Sequence, residues 1–229
     1  MDIGIIGAGL IGGTLARRLT KLGHKVLIAN SRGPASLADL AAETGAAPVS
    51  ISEAARGGEI VFVAIPTWKI TDLPTDLFAG VDHNVIVVDT GNYYPRERDG
   101  RIDEIENGMT ESRWVANQLE RPVLKAINTI NWRSLLEKGM PDGMPWRIAI
   151  PVAGDNEADK AKLIQLFDEL GFDGVDAGPL DESWRQQPAT PVYAADLDAG
   201  AAREALAAAS PVRKPEMRAH PGSSLGKPL

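Results

Sequence analysis

A glycine-rich turn near the start of the chain constrains the fold more than any other feature. Gly7-Ala8-Gly9-Leu10-Ile11-Gly12 directly follows an apolar run and opens a segment in which Leu15, Leu19 and Leu22 recur at helical spacing. Between a strand and a helix, the first glycine makes the tight turn, the second lets a pyrophosphate approach the backbone, and the third lets the helix pack on the strand. The free N–H groups and the dipole of the helix then receive the anion. This context favours a dinucleotide site over a chance glycine-rich turn.

Apolar runs recur along the chain with helical stretches between them, which is typical of βαβ units around a parallel sheet. Continuous Ile, Val and Leu runs indicate strands that are covered on both faces. We predict seven strands, at residues 2–7, 25–30, 59–65, 84–89, 122–127, 147–152 and 173–176. We predict helices at residues 11–22, 34–44, 156–170 and 200–209. The pattern predicts an α/β fold of the Rossmann type, a doubly wound and mainly parallel sheet with a small C-terminal helical segment and a tail.

The regular alternation fades after about residue 180, which suggests two parts. We expect residues 1–180 to form the dinucleotide-binding domain, later strands included, and residues 181–229 to form a helical segment and a proline-rich tail. Residues 92–114 are charged and rich in turn residues, so we expect a surface excursion there. The tail at residues 210–229 has little to bury, so order there requires a surface on its own subunit or on a neighbour.

Charge and composition exclude several classes of function. Lysine and arginine number 24 against 31 aspartates and glutamates, a net charge of −7, which makes nucleic acid and anionic membranes poor partners. The absence of cysteine excludes disulfides, thiolate metal sites and a cysteine nucleophile. His24, His83 and His220 are isolated, so neither a Ser/His/Asp set nor a metal site is predicted. No apolar run reaches the roughly 20 residues that cross a bilayer. We expect a cytoplasmic protein with redox chemistry.

The end of the second predicted strand indicates which dinucleotide binds. NAD requires an Asp or Glu there, because a carboxylate accepts from the ribose 2′-hydroxyl. Asn30-Ser31-Arg32 stands there instead. The guanidinium of Arg32 can face a 2′-phosphate with several donors, and Ser31 adds a hydroxyl. This favours NADP(H), the alternative being that Arg32 is a solvated loop cation.

Ligands of open α/β sheets bind beyond the carboxyl ends of the strands. Ile65-Pro66-Thr67-Trp68 follows the third predicted strand, Asp89-Thr90-Gly91-Asn92 the fourth, and Asn128-Thr129-Ile130-Asn131-Trp132 the fifth. The two tryptophans either wall a nicotinamide or its flat partner, or belong to the core. The candidates for an acceptor pocket are therefore Trp68, Asn92, Asn128, Thr129 and Trp132.

Several segments resemble the reductases that pass hydride between NADP and the deazaflavin coenzyme F420. The resemblance spans about residues 3–187. It includes the opening at Ile3 to Arg17, the NADP loop and the ends of the third and fifth strands, namely Ala64-Ile65-Pro66, Trp68 and Lys125-Ala126-Ile127-Asn128-Thr129-Ile130. Its most specific parts are Val152-Ala153-Gly154-Asp155 before a helix and Asp176-Ala177-Gly178-Pro179-Leu180.

The resemblance implies roles for individual residues. Gly9 to Ile11 would hold the pyrophosphate, Ser31, Arg32 and Ser36 the 2′-phosphate, and Ile65, Pro66, Trp68 and Trp132 would lie near the cofactor's nicotinamide end. It also implies a homodimer. The sequence departs from the archaeal deazaflavin enzymes, which tend to carry Lys in place of Ser36 and His in place of Asn128, and its last forty residues differ. The substrate is therefore less defined than the cofactor.

Three functions stay open. The first is direct hydride transfer from NADPH to a flavin-like ring, with deazaflavin F420 or a flavin as co-substrate, which requires positioning and no acid. The second is reduction of a small carbonyl or imine, which requires a proton donor at the pocket mouth such as Tyr93, Tyr94 or Lys69. The third is a non-catalytic NADP-binding sensor, because a fold does not guarantee chemistry.

Overall fold

A computed structural model describes residues 1–228. A six-stranded parallel sheet lies at its centre, with the strand order β3-β2-β1-β4-β5-β6. This order, together with helices on both faces, is that of the doubly wound dinucleotide-binding fold. The strands are β1 (Asp2–Ile6), β2 (Lys25–Ala29), β3 (Ala47–Pro48), β4 (Ile60–Val63), β5 (Ile86–Asp89) and β6 (Leu124–Lys125).

A second, smaller sheet extends the first. Its two parallel strands are β7 (Ala149–Val152) and β8 (Asp173–Asp176). Lys125 at the end of β6 exchanges both backbone hydrogen bonds with Ala153, at 2.8 and 3.0 Å, in an antiparallel bridge. All seven predicted strands are present with equal or shorter bounds. The prediction missed β3, because two residues are too short for a periodic signal.

Two apolar layers cover the sheet. Leu15, Leu19 and Phe167 belong to the layer on one face, and Ala54 and Trp114 belong to the layer on the other. The helices are α1 (Leu10–Lys21), α2 (Ala38–Thr44), α3 (Ile51–Gly57), α4 (Asp103–Glu106), α5 (Glu111–Leu119), α6 (Trp132–Glu137), α7 (Glu157–Glu169) and α8 (Ala199–Ala207). The prediction missed α3 to α6, and a 3₁₀ turn at Pro34–Leu37 forms the first part of the helix predicted at 34–44. No helix in residues 1–228 is long and apolar enough to cross a membrane.

The expectation of a surface excursion at residues 92–114 is wrong for much of this segment. Tyr93, Asp99, Glu111 and Trp114 are all buried there, whereas residues 103, 104, 107 and 108 are exposed. The buried charged residues bond to other parts of the segment and to the C-terminal tail inside the molecule. Polarity alone therefore misplaced this segment, because a buried polar group is tolerated once it is hydrogen-bonded.

The C-terminal tail lies on its own chain. The guanidinium of Arg96 donates to the carbonyls of Arg218 and Pro215, at 2.8 and 2.7 Å. The Gly226 N–H donates to the Asp99 carbonyl at 2.7 Å. We refer to residues 210–228 as the strap; Leu229, the last residue of the predicted tail, lies outside the described residues.

Candidate cofactor and acceptor site

Each glycine of the turn has the geometry that its predicted role requires. Gly7 has φ +112°, a backbone conformation that residues other than glycine rarely adopt, and a Cβ there would collide with the Ala64 carbonyl. A Cβ on Gly12 would collide with the Gly7 carbonyl, so that helix and strand could not pack. A Cβ on Gly9 would have no atom within 4 Å. The space above Gly9 is therefore open to a ligand.

The first turn of α1 is also open. Gly9 is its N-cap, no side chain caps the helix, and no acidic residue lies in the first turn. Leu10 is 64% exposed. The free N–H groups of a helix start without a competing carboxylate form an anion site, so the residues present fit a pyrophosphate.

The loop after β2 exposes Ser31, Arg32 and Ser36. The Asn30 side chain organises this loop: its oxygen accepts from the Arg32 N–H at 2.9 Å, and its amide donates to the Ser36 hydroxyl at 2.9 Å. The Ser36 hydroxyl in turn donates to the Gly33 carbonyl at 2.8 Å. Among the described residues, the Arg32 guanidinium makes no hydrogen bond or ion pair, which leaves its donors free for a ligand.

One open cleft of about 670 Å³ joins these parts. Arg17, which the sequence analysis did not single out, lines the cleft and makes a bidentate ion pair with Glu43 at 2.5 and 2.7 Å. The hydrogen bonds that the Arg17 guanidinium donates to the Glu43 carboxylate raise the pKa of Arg17, so this residue is a fixed positive charge. Among the predicted residues, the cleft is lined by Ala8, Gly9, Leu10, Arg32, Ser36 and Trp132.

One acceptor candidate, Asn92, lies in residues 91–94, which follow β5 and which we call the clamped loop. The Gly91 N–H donates to Asp89 Oδ1 at 2.8 Å, and Lys125 Nζ donates to the Gly91 carbonyl at 2.6 Å. The Asn92 carbonyl accepts from the Thr67 hydroxyl at 3.0 Å and from the Arg98 guanidinium at 2.5 Å.

Two further acids hold the other end of the clamped loop. The Tyr93 N–H donates to Glu111 Oε2 at 3.2 Å, and the Tyr94 N–H donates to Asp99 Oδ2 at 2.6 Å. Backbone groups at all four positions are thus fixed by side chains. Such a loop is rigid before any ligand arrives, as a site that works by positioning requires.

Four of the clamping side chains are charged and almost completely buried. Lys125 Nζ lies 3.1 Å from Asp89 Oδ2 and 3.9 Å from Glu111 Oε2. The Ser112 hydroxyl donates to Asp89 at 2.7 Å. Burial raises the pKa of Glu111, and the nearby cations Lys125 and Arg213 oppose that rise. The exposed fractions are 2% for Asp89, 0% for Asp99, 1% for Glu111 and 0% for Lys125.

The asparagines differ in what they leave available. The Asn128 amide donates to Asn92 Oδ1 at 3.1 Å and to the Gln186 carbonyl at 2.6 Å, and its oxygen accepts from Gln186 Nε2 at 3.0 Å. Asn92 donates once, to the Asn128 carbonyl at 3.0 Å. Asn128 is therefore a scaffold residue, whereas Asn92 keeps one amide hydrogen. Thr129 is buried, and its carbonyl accepts from the Ala194 N–H at 2.8 Å.

The structure places the two tryptophans in different surroundings. Trp132 lines the cofactor cleft beside the glycine turn. Trp68 is half-buried under the strap, where a Cβ on Gly226 would come within 2.8 Å of its Cε3 atom. Ile65 lies against the glycine turn, since a Cβ on Gly7 would come within 2.8 Å of its Cγ2 atom. Pro66, which is half-buried, connects these two regions of the site.

The candidate proton donors are arranged differently from the prediction. Tyr93 is completely buried: its hydroxyl accepts from the Ile102 N–H at 3.0 Å and donates to Glu106 at 3.2 Å. It is not at a pocket mouth, and burial raises its pKa. Lys69 is half-buried, and its ammonium pairs with Asp72 at 2.6 Å and lies 3.8 Å from the centre of the Trp68 ring.

Tyr94 keeps a position that a donor requires. It is half-buried, and its hydroxyl contacts the hydroxyl of Tyr193, a residue that the sequence analysis did not single out. Burial raises the pKa of Tyr193. The two tyrosines belong to segments that adjoin acceptor candidates: Tyr94 lies two residues after Asn92, and Tyr193 precedes Ala194, whose N–H donates to the Thr129 carbonyl.

Strained backbone surrounds the same place. Ile127, at the end of β6, has φ +66°, and Ala189 and Ala194 have φ +68° and +55°. Residues with a branched side chain rarely adopt this conformation, which persists only where the surrounding structure imposes it and is concentrated at functional sites. Within residues 1–228, no group of three His, Asp or Glu side chains is arranged to hold a metal ion.

Known proteins resemble the chain in the parts described above. Residues 2–93 match the family described as NADP oxidoreductase, coenzyme F420-dependent. The hypothetical protein SMa0349 from Sinorhizobium meliloti has 31% identity and a TM-score of 0.70, with 85% of this chain and 94% of that protein covered. A protein from Arthrobacter sp. FB24, described as a candidate F420-dependent NADP reductase, has 26% identity and a TM-score of 0.63, with 78% and 85% covered.

A curated relative matches over a shorter stretch. The protein YjhV of Escherichia coli strain K12 is 45% identical over 60 residues, which are 26% of this chain. The matched stretch spans 44% of the length of YjhV, less than half of that relative.

Proposed function

The chain belongs to the family of coenzyme F420-dependent NADP oxidoreductases, and we propose that it transfers hydride between NADP(H) and a flavin-like ring of the deazaflavin F420 type. The cofactor cleft carries this proposal, because it combines the open space above Gly9 with the free guanidinium of Arg32. A pyrophosphate and a 2′-phosphate are the groups that these two features would recognise.

Bound NADPH would supply a hydride, which is two electrons and one proton, to the acceptor ring, and the ring would take its second proton from water. The first turn of α1 would hold the pyrophosphate, and Ser31 and Arg32 would hold the 2′-phosphate. Ile65 and Pro66 would flank the nicotinamide end of the cofactor. These residues would thus bind or orient the cofactor, and none of them needs to exchange a proton with it.

The clamped loop would serve as the support for the acceptor. Asn92 offers one free amide hydrogen from a backbone that is fixed on both sides. Holding two rings within about 3.5 Å in a fixed orientation supplies most of the barrier reduction for direct transfer. Pre-existing order in the loop therefore supports a reaction that depends on position rather than on acid–base chemistry.

The test is an acceptor screen. Purified protein and NADPH are mixed with deazaflavin F420, FMN, FAD, ferric chelates and a panel of carbonyls, and the nicotinamide absorbance is followed. We expect F420 or a flavin to be reduced, and NADPH to be oxidised at least about tenfold more efficiently than NADH. Tight NADPH binding with no turnover on any acceptor would instead identify a sensor.

The Tyr94–Tyr193 contact favours a second candidate, an NADPH-dependent reductase of a small carbonyl or imine. A hydroxyl beside the hydride acceptor can protonate the developing alkoxide or amine. Under this function, the carbonyl panel responds and the flavin-type acceptors do not. Loss of the Tyr94 or Tyr193 hydroxyl would then abolish turnover.

We also propose a homodimer in the cytoplasm, with cofactor binding by residues 1–180 and acceptor coverage by residues 181–229. The family resemblance supports the dimer. The strap no longer does, since it lies on its own chain. Sedimentation at micromolar concentration tests the dimer, and a monomer would refute it.

A further inference from the structure

The strap reaches the clamped loop through a buried ion pair. Arg213 Nη2 lies 2.8 Å from Oε1 of Glu111, a carboxylate that is 1% exposed. The Arg213 guanidinium also lies 5.0 Å from the centre of the Tyr93 ring. An arginine from the last twenty residues of the chain therefore compensates a charge in its interior.

The same carboxylate holds the loop with its second oxygen. Glu111 Oε2 accepts from the Tyr93 N–H at 3.2 Å and lies 3.9 Å from Lys125 Nζ, which donates to the Gly91 carbonyl. Arg213 thus contributes to fixing the backbone on both sides of Asn92. The bond from Arg213 to Glu111 is a single charge-assisted hydrogen bond, which is stronger than a neutral one.

The strap repeats this arrangement at two further acids. The Ala219 N–H donates to Glu106 Oε1 at 3.1 Å, and the same oxygen accepts from the Tyr93 hydroxyl at 3.2 Å. The Gly226 N–H donates to the carbonyl of Asp99, whose side chain accepts from the Tyr94 N–H. Each acid that bonds to Tyr93 or Tyr94 is therefore also bonded to the strap.

We propose that Arg213 is a positioning residue for hydride transfer, and that the strap completes the acceptor side of the site by holding the acids that bond to Tyr93 and Tyr94. This rests on the proposed function for its reaction and on the contacts above for its geometry. A strap that only covered apolar surface would not bond to Glu106, Glu111 and Asp99, the three acids that hold these two tyrosines.

Arg213→Met tests this proposal, with Arg218→Met as the matched control. Both arginines belong to the strap, but among the described residues the Arg218 guanidinium makes no hydrogen bond or ion pair. We expect Arg213→Met to lower kcat with the acceptor by about 10- to 100-fold, since a misplacement of about 1 Å has that effect. Arg218→Met should stay within about twofold of the wild type, and the NADPH Kd should not change in either variant.

Hydrogen exchange supplies a readout that does not depend on turnover. The amides of Tyr93 and Tyr94 should lose protection in Arg213→Met and keep it in Arg218→Met. Arg213→Lys keeps the charge and should restore most of the protection and the rate, which covers the case in which Arg213→Met does not fold.

The pH profile separates positioning from general loosening. Glu111 faces Lys125 and Asp89 at the strand ends, Arg213 on the strap, and Tyr193. Burial raises the pKa of Glu111, and removal of Arg213 takes away one of two cations that oppose the rise. In the Arg213→Met variant, the Glu111 carboxylate is therefore protonated at a higher pH than in the wild type. The acid limb of turnover should shift to higher pH in this variant, whereas Arg218→Met should keep the wild-type profile.

The outcomes are distinct. Unchanged protection of the Tyr93 and Tyr94 amides in Arg213→Met would overturn the proposal, whatever the enzyme reduces. Lost protection with an unchanged rate on a confirmed acceptor would overturn it as well. If the wild type reduces no acceptor, the proposed function fails, and a role of Arg213 in hydride transfer is rejected with it. Hydrogen exchange of the Tyr93 and Tyr94 amides still decides whether the strap orders the clamped loop.

Discussion

The cofactor turn and the clamped loop are built in opposite ways. Residues 7–12 are contiguous, and the absence of side chains leaves them room for a ligand: Gly9 has open space above it, and no side chain caps the first turn of α1. Residues 91–94 are fixed by side chains from several elements, Lys125 lying 34 residues from Gly91 in sequence. The first region is open to the proposed ligand, whereas the backbone of the second is already hydrogen-bonded to protein side chains.

The difference has an energetic consequence. At the turn, backbone N–H groups would contact the ligand, so binding there does not depend on a side chain. The clamped loop depends instead on charged side chains that are buried away from water. Such ions are tolerated only while they compensate one another. Substitution of Gly9 should therefore affect binding alone, whereas perturbation of the clamps should affect folding first.

Lys125→Met is the strongest test of the difference between the two regions. It leaves Asp89 and Glu111 buried without the cation between them, so we expect a loss of about 3–5 kcal/mol of unfolding free energy. Urea titration measures it. Lys162→Met is the control, because the Lys162–Glu59 pair at 2.9 Å is exposed and should contribute less than about 1 kcal/mol. Equal losses in the two variants would contradict the importance of the buried cluster.

Gly9→Val tests the cofactor turn. The new side chain meets no protein atom but occupies the space proposed for the pyrophosphate, so the protein should fold while NADPH affinity falls about 100-fold or more, roughly 2.7 kcal/mol. Gly12→Val should instead destabilise the fold, because its Cβ collides with the Gly7 carbonyl. Circular dichroism and calorimetry separate the two results. Normal NADPH binding by folded Gly9→Val would refute the assignment of the turn.

Arg32→Ala refines the cofactor side. Loss of a charge-assisted bond should remove about 1.5–3 kcal/mol from NADPH binding. NADH lacks the 2′-phosphate and serves as the control ligand, so its affinity should barely change. Calorimetry that finds equal losses for both dinucleotides would show Arg32 to be a solvated loop cation.

The contrast also explains what the sequence could predict. The strands and the glycine turn follow from local signals, namely apolar runs and glycines at fixed spacing. Helix α3, which the prediction missed, also has such a signal in the capping box of Ser50 and Glu53. The pairing of Glu111 with Arg213 carries no local signal, because it joins residues 102 positions apart. Charged residues at 92–114 therefore suggested exposure when their partners lay elsewhere in the chain.

Loss of a candidate donor should have the smallest effect if hydride passes directly to a ring. Tyr94→Phe, Tyr193→Phe and Lys69→Met should each keep turnover within about tenfold, against the roughly 10²- to 10⁴-fold loss that follows removal of a general acid. Trp68→Ala and Thr129→Val should lower turnover more, because they disturb the walls of the site rather than a proton donor.

Stereospecifically deuterated NADPH gives the direct check on these variants. The label should move from one face of the nicotinamide to a carbon of the acceptor when the acceptor is a deazaflavin. Label that appears in the solvent would indicate a flavin acceptor, whose reduced N5–H exchanges with water. Label on the carbon of a carbonyl or imine product, together with a tyrosine that proves indispensable, would favour the carbonyl or imine reaction. In that case the Tyr94–Tyr193 contact would be the reactive part of the site, and the clamped loop would orient a proton donor rather than support a second ring.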